Sequence, residues 1–260
     1  MIAGRVMGAA KSGNEWTQNN LLLHNVEVVY QDAATFFESP ELPSPTVHNE
    51  ILTAENVDAV HHDDAYMFLR MLELAMSLAA GEDSAVADFV VNLFRLLGYT
   101  GRGRVARTRK SLPFFNCGEN RQAYTDVCIL NDISDVLLVV QEDKRHLGGY
   151  DPEPQLIAEA IAAFCSINLT RVRAIGIAPL QRKVISGIIM CGTMPTFYKI
   201  PVTGGLVEGV QRGVGPFSAT IVYAHLPDLP RPVRRYMEGM KPLDNRQRIF
   251  SCYEALRRFL

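Results

Sequence analysis

Val136-Leu-Leu-Val-Val-Gln-Glu-Asp-Lys-Arg145 is a run of five apolar residues that ends abruptly in charge. A run of this length and β-branched content reads as a buried strand. Side chains along a strand alternate between faces, so Val136, Leu138, Val140, Glu142 and Lys144 are expected on one face. The carboxylate and the ammonium then emerge where the sheet meets solvent. The strand expected before it, within Gln122 to Leu130, holds a single acid, Asp126. Two acids and a lysine can therefore converge at the edge of a sheet. Paired carboxylates prefer hard Mg2+ or Mn2+, which lower the pKa of a bound water and stabilise charge at a phosphorus centre. A lysine beside the ion can orient or deprotonate that water. Glu-x-Lys alone is common, so its surroundings decide what it means.

Working outward, apolar residues recur with helical spacing from Asp64 to Ala79, and again from Ser84 to Leu97 with Gly98 as a C-terminal stop. After Gly98 the pattern turns to strands over Gln122 to Leu130, Asp135 to Lys144, Arg173 to Ile177, Ile185 to Cys191, Thr196 to Val202 and Ser218 to Ala224. One helix interrupts them, Glu153 to Ser166, with Asp151 as N-cap and Pro152 at its first position. A last helix is expected over Asn245 to Leu260. This order describes an α/β (α+β) fold with a central mixed sheet flanked by helices. Residues 1 to 20 read as a loose tail. Glu38-Ser-Pro-Glu-Leu-Pro-Ser-Pro45 reads as an extended linker or surface loop behind a short strand, Val26 to Tyr30.

The order and spacing of these segments resemble the PD-(D/E)XK restriction-endonuclease-like nuclease superfamily. Glu82 to Tyr99 is similar to that family's first core helix, with an acid near its start and a Leu-Gly-aromatic end. Arg121-Gln-Ala-Tyr-Thr-Asp126 stands where the family has its Pro-Asp turn and second strand. Gln141-Glu-Asp-Lys144 stands at (D/E)-x-K, and the helix bearing Gln155 follows. The resemblance implies a restriction-endonuclease-like core over residues 61 to 260, its motifs within 80 to 170, with N- and C-terminal helical elaborations and an N-terminal arm over 1 to 60. It implies that Asp126 and Glu142 ligate Mg2+ (or Mn2+) with the Asp143 carbonyl, and that Lys144 handles the nucleophilic water. Glu82 would act through water or from behind the ligands, and Gln155 would contact phosphate or orient the lysine. The chain departs from the family at Thr125, which replaces proline, at Asp143, charged where a small or apolar residue is usual, and at Glu159, in place of an aromatic. Ile188 to Val202 and Asn245 to Leu256 look like parts of uncharacterised proteins of mushroom-forming fungi, a likeness that supplies no activity.

The net charge of −2 hides an asymmetry. Residues 1 to 100 hold 4 Lys/Arg against 14 Asp/Glu, and the remainder 22 against 14, a balance of −10 and then +8. A basic half is compatible with a phosphate-rich partner, here nucleic acid and by expectation DNA. Arg102, Arg104, Arg107, Arg109 and Lys110, on a basic loop just ahead of Asp126, are the expected backbone contacts. The arginines near the C-terminus are expected to pair with neighbouring acids instead.

Hydrophobic residues at 48% allow a sizeable core. Five scattered cysteines without C-x-x-C spacing read as reduced thiols. No apolar run suggests a signal peptide or membrane span, so the expected setting is intracellular, nuclear or cytoplasmic, with no membrane partner. His61-His-Asp-Asp64 reads as a helix start with Asp63 or Asp64 as cap, and Gly204-Gly205 and Gly213-x-Gly215 as turns. Cys117 or Cys128 with His146 lacks the third group that would orient a thiol nucleophile. The two functional expectations are a metal-dependent nuclease and, against it, a catalytically inactive nuclease fold used for binding or as a scaffold.

Overall fold

A computed structural model describes residues 8–77, 84–143 and 151–260. In chain order its elements are α1 (Gln18–Leu23), β1 (Val26–Tyr30), α2 (Ala33–Phe37), α3 (Asn49–Thr53), α4 (Asp63–Ala75), α5 (Ala85–Leu96) and β2 (Arg104–Asn116). There follow β3 (Glu119–Asn131), β4 (Val136–Glu142), α6 (Pro152–Thr170), β5 (Arg182–Cys191), β6 (Met194–Thr203), α7 (Gly204–Arg212), β7 (Thr220–His225), α8 (Arg235–Glu238) and α9 (Leu243–Leu256). The strands form one seven-stranded mixed sheet in the order β1-β7-β6-β5-β4-β3-β2. β4 and β5 run parallel, as do β1 and β7, and the other neighbours are antiparallel. A parallel pair needs a long crossover, and α6 lies within the one joining β4 to β5.

Apolar side chains leave both faces of the sheet, so each face is covered by helix. On one face Leu138, Val140, Ile188 and Met190 pack with Phe68 of α4, Phe89 and Phe94 of α5, and Phe250 and Tyr253 of α9. On the other, Val136, Val139, Ile185 and Ile189 pack with Leu156, Ile157, Ile161 and Phe164 of α6. The result is a three-layer α/β/α arrangement with β4 central to both cores. Strict alternation fails at one place: the β3–β4 register shifts at Ile129/Leu130, giving β4 an extra residue, so Val136 packs with α6 and not beside Leu138.

Four segments differ from the sequence expectation. Of the expected tail, residues 8 to 20 are not loose, because Trp16 is fully buried and stacks on His24 at 5.3 Å between ring centroids. A single large aromatic outweighs its small polar neighbours. The basic loop runs into β2, whose long hairpin with β3 closes at Cys117-Gly118; both have positive φ, +49° and +85°, as a type I′ turn requires. The strand expected at Arg173 to Ile177 is absent, since residues Arg171–Ile175 prolong α6 as a π-helical turn and stop at Gly176, φ +75°. Extending an existing helix avoids a new nucleation, and this outweighs local β preference. Gly204-Gly205 opens α7, where the Thr203 hydroxyl accepts the Leu206 N–H at 3.1 Å. The N-terminal segment also supplies β1 to the sheet edge and Phe36, Phe37 and Ile51 to the core.

One buried cation fastens the chain's two ends. Arg246 on α9 is fully buried and donates to the carbonyls of Ile51 (2.8 Å), Ala54 (2.7 Å), Met240 (3.0 Å) and Lys241 (3.0 Å). Burial brings its pKa down to about 10, so it stays charged at neutral pH. Removing the guanidinium strands three carbonyls in the interior, those of Ile51, Ala54 and Met240. Arg246→Met is expected to lower unfolding stability by about 3–5 kcal/mol, measured by urea denaturation. A loss under about 1 kcal/mol would show that the cation is not what holds α3 to α9.

Candidate active site

At the end of β4 the sheet forks. The antiparallel ladder with β3 ends at Val127↔Val140, while β4 stays paired with β5 through Glu142↔Met190. The Asp143 N–H extends that pairing, donating to the Met190 carbonyl at 2.7 Å. Glu142 therefore turns its N–H toward β3 at the level where backbone pairing has stopped. Asp126 takes it: its Oδ2 accepts that N–H at 2.8 Å. A carboxylate replaces a strand carbonyl, and the bond is strengthened by its charge. β3 is also irregular on its other side, where Arg109, opposite Asp126, has φ +49° and the β2–β3 pairing skips the pair.

Three carboxyl groups gather round this fork, all with little solvent: Glu142 is 9% exposed, Asp143 4% and Glu159 2%. By alternation from Leu138 and Val140, Glu142 belongs to the face covered by α5, and Asp143 to the face covered by α6. Glu159 comes from α6, four residues and about one turn after the half-buried Gln155. Its Oε2 is buried without a hydrogen-bond partner. Burial first, and then the negative charge of Asp126, hold its carboxyl well above the usual range. The sequence offered a signal for Glu159, an acid one turn from Gln155 within the apolar run of α6, but a departure from a family pattern does not reveal burial against Asp126.

Of the residues expected at the site, Asp126 meets Glu142 through the Glu142 backbone N–H. By alternation from Cys128, and by its interaction with Glu159, Asp126 lies on the α6 face with Asp143, whereas the Glu142 side chain lies on the α5 face. The two carboxylates therefore do not share one face as the sequence reading required, and Gln155 stands on the neighbouring helix. Glu82 and Lys144 lie outside the described residues. Carboxylate and carbonyl oxygens are the donors that hard divalent cations take, but a Glu159 carboxyl whose burial favours the protonated form is a poor one. Among the described residues, no three His, Cys, Asp or Glu side chains close on a point that could hold one.

The expected phosphate contacts fall on the sheet's outer edge. Arg107 and Arg109 are exposed on β2 and Lys110 is half-buried there, while Arg102 is exposed just before the strand. Arg104 is partly spent on the chain end, donating to the Leu260 carbonyl at 3.1 Å. This edge lies one strand from Asp126. Some of the C-terminal arginines meet acids, as expected: Arg231 bridges Asp244 (2.7 Å) and Glu238 (2.8 Å), and Arg257 reaches Glu254 at 3.3 Å, whereas Arg246 serves backbone carbonyls instead.

The other constellations carry structure. His62, not Asp63 or Asp64, caps α4, its Nδ1 accepting the Asp64 N–H at 3.3 Å while its ring stacks on His48. An imidazole nitrogen is an acceptor of the right reach, which leaves both aspartates to favour the helix N-terminus by charge. Burial raises the pKa of Cys117 and of Cys128, the reverse of an activated thiol, and His146 lies outside the described residues. Among the described residues no helix is long and apolar enough to cross a membrane. Set against models of protein families and against curated proteins, the chain matches none.

The raised carboxyl of Glu159 gives a signed prediction. A group that holds its proton more tightly when folded adds stability that is complete below its ordinary value of 4.5 and fades as pH rises toward the folded value. Glu159→Gln removes that dependence. The unfolding free energy of the wild type minus that of Glu159→Gln should fall by up to about 1.4 kcal/mol per pH unit above pH 4.5, followed by urea titration from pH 4.5 to 8. A flat difference would mean that Glu159 ionises freely.

Proposed function

We propose that the protein is a metal-dependent nuclease that hydrolyses phosphodiester bonds, with DNA as the expected substrate. The observation that carries this reading is the fork, where the Asp126 carboxylate grips the backbone of Glu142 at the end of the central strand. The order of elements supports it: α5, the antiparallel β2, β3 and β4, then α6 and the parallel β5 follow the order of the motifs that the resemblance aligns. Asp126 and Glu142, with the Asp143 carbonyl, are the residues that would hold Mg2+ or Mn2+. Such an ion, when bound, supplies a nucleophilic water at neutral pH and offsets charge on the phosphate.

The chain's own residues have these roles. Lys144, two positions beyond Glu142, holds or moves the proton of the attacking water. Glu82, before α5, acts from behind the ligands or through water. Gln155 orients the phosphate or the lysine. The cations of β2 hold the nucleic-acid backbone and give affinity without sequence reading.

One observation favours a second reading. Among the described residues no three donors close on one point, which suits a catalytically inactive nuclease fold that binds nucleic acid or acts as a scaffold. Incubation with plasmid and single-stranded DNA under Mg2+ or Mn2+ separates the two. Asp126→Asn, Glu142→Gln and Lys144→Ala should each reduce cleavage at least about a hundredfold while leaving binding in place. Equal products from the wild type and Lys144→Ala would sink the nuclease reading, and binding without any cleavage would leave the second.

A further inference from the structure

β2 stands at the free edge of the sheet, and its outer side carries unspent hydrogen-bonding groups. Arg104 exchanges backbone bonds with Gly101, donating to its carbonyl at 3.1 Å and accepting its N–H at 2.9 Å, so the Arg104 main chain points away from β3. Alternation along the strand turns the N–H and C=O groups of Ala106 and Thr108 the same way. Among the described residues neither has a backbone partner on that side. Arg109, left-handed at φ +49°, ends this regular stretch.

Beside this edge a groove of about 750 Å³ runs between β2 and the helices α4 and α5. Met71 and Leu74 of α4 and Val91 of α5 give it an apolar wall, and Ala106 and Thr108 lie along its floor. Two charged groups in the lining are already engaged: Arg95 pairs with Asp64 at 2.6 Å, and Asp88 accepts the Ser84 hydroxyl at 3.1 Å. Ala106 and Thr108 stand opposite Ile129 and Val127, on the α5 face, whereas Arg107 between them stands opposite Cys128, on the α6 face. Arg107 and Arg109 are exposed and form no ion pair among the described residues.

Backbone edge, apolar groove and unpaired cations together select the occupant. A nucleic-acid backbone matches the arginines, but its phosphates only accept hydrogen bonds and leave the carbonyls of Ala106 and Thr108 unmet. A second copy pairing through β2 would bring like arginines together, which is destabilising. An added peptide strand meets outward donors and acceptors at once; main-chain bonds then give affinity, and pockets for alternate side chains give specificity. Its residues opposite Ala106 and Thr108 face the groove, and the residue between them faces Arg107. We infer that β2 takes up a short extended peptide of a partner protein in which apolar residues alternate with Asp or Glu. This docking site does not depend on the nuclease reading. It shares Arg107 and Arg109 with the proposed nucleic-acid track, so the two ligands compete.

Fluorescence anisotropy with a labelled Val-Glu-Val-Glu-Val-Glu-Val peptide tests the site. The peptide is expected to bind at least about tenfold more tightly than a form with lysine in place of glutamate, and than an N-methylated form that lacks main-chain donors. Thr108→Pro removes an outward N–H and no bond to β3, a change that an edge strand accepts. Thr108→Pro, Leu74→Asp in the groove wall and Arg107→Glu should each weaken the peptide at least about tenfold. A thymidine octamer in EDTA should be displaced by the peptide, and weakened by Arg107→Glu but not by Thr108→Pro or Leu74→Asp. Peptide binding no tighter than that of the N-methylated form, or unchanged in both Thr108→Pro and Leu74→Asp, would overturn the docking site. Octamer binding that Arg107→Glu removes, with no binding of the peptide, would overturn it too and assign this edge to nucleic acid alone.

Discussion

The bond from the Glu142 N–H to the Asp126 carboxylate is the constraint around which the sheet is arranged. β4 is buried on both faces, and a buried N–H without a partner costs about 1–3 kcal/mol. Had β3 continued its ladder, a backbone carbonyl would have met that need at no electrostatic cost. Instead β3 and β4 part after Val127 and Val140, and a charged side chain fills the gap. The same bond thus completes the central strand and places an anion between two hydrophobic cores. On the proposed reading, stability and chemistry draw on one group.

Charge is placed inside this molecule elsewhere too, each time where the chain must be pinned. Arg246 holds the α3 and α9 segments together through four carbonyls. Lys199 on β6 pairs with Glu38 at 2.7 Å and lies 3.8 Å from the centroid of the Phe259 ring, joining the N-terminal segment, the sheet and the chain end. Glu38 itself sits at φ +53°, a left-handed conformation that the ion pair helps to hold. Tyr99, beyond α5, donates to the Tyr253 carbonyl of α9 at 2.5 Å. These contacts close the helical layer on the α5 side against the sheet. That layer then backs the face on which Glu142 lies.

Periodicity reveals an element when one repeated pattern dominates a window, and here it reveals α4, α5, α6, α9 and the apolar strands. It is blind to decisions made by one residue or by a distant partner. Trp16 buries a segment whose composition reads as tail, and two positive-φ residues at Cys117-Gly118 fold the cations of β2 into a strand. Val136 changes faces because of a register shift with β3, which no property of β4 announces. The site was legible to the same degree: Asp126 and Glu142 stand out as acids in apolar runs, but their meeting depends on how β3 diverges. Glu159 was visible as an oddity in α6, and only its burial against Asp126 gives it a place at the fork.

The balance of charge about the fork bears on what such a site can accept. Among the described residues, Asp126, Asp143 and Glu159 lie on the α6 side of the fork and Glu142 on the other, with Asp151 and Glu153 on α6, while the cations of β2 lie one strand away. On the proposed reading, a phosphodiester drawn to those cations would approach these carboxyl groups, and in so little solvent any repulsion is weakly screened. Two things would lower it: burial favours the neutral form of Glu159, and a divalent cation between carboxylates and phosphate would reverse the sign of the field. On the proposed reading the acids are therefore tolerable only with the ion present, and the backbone track on β2 and the acidic fork become complementary parts of one surface.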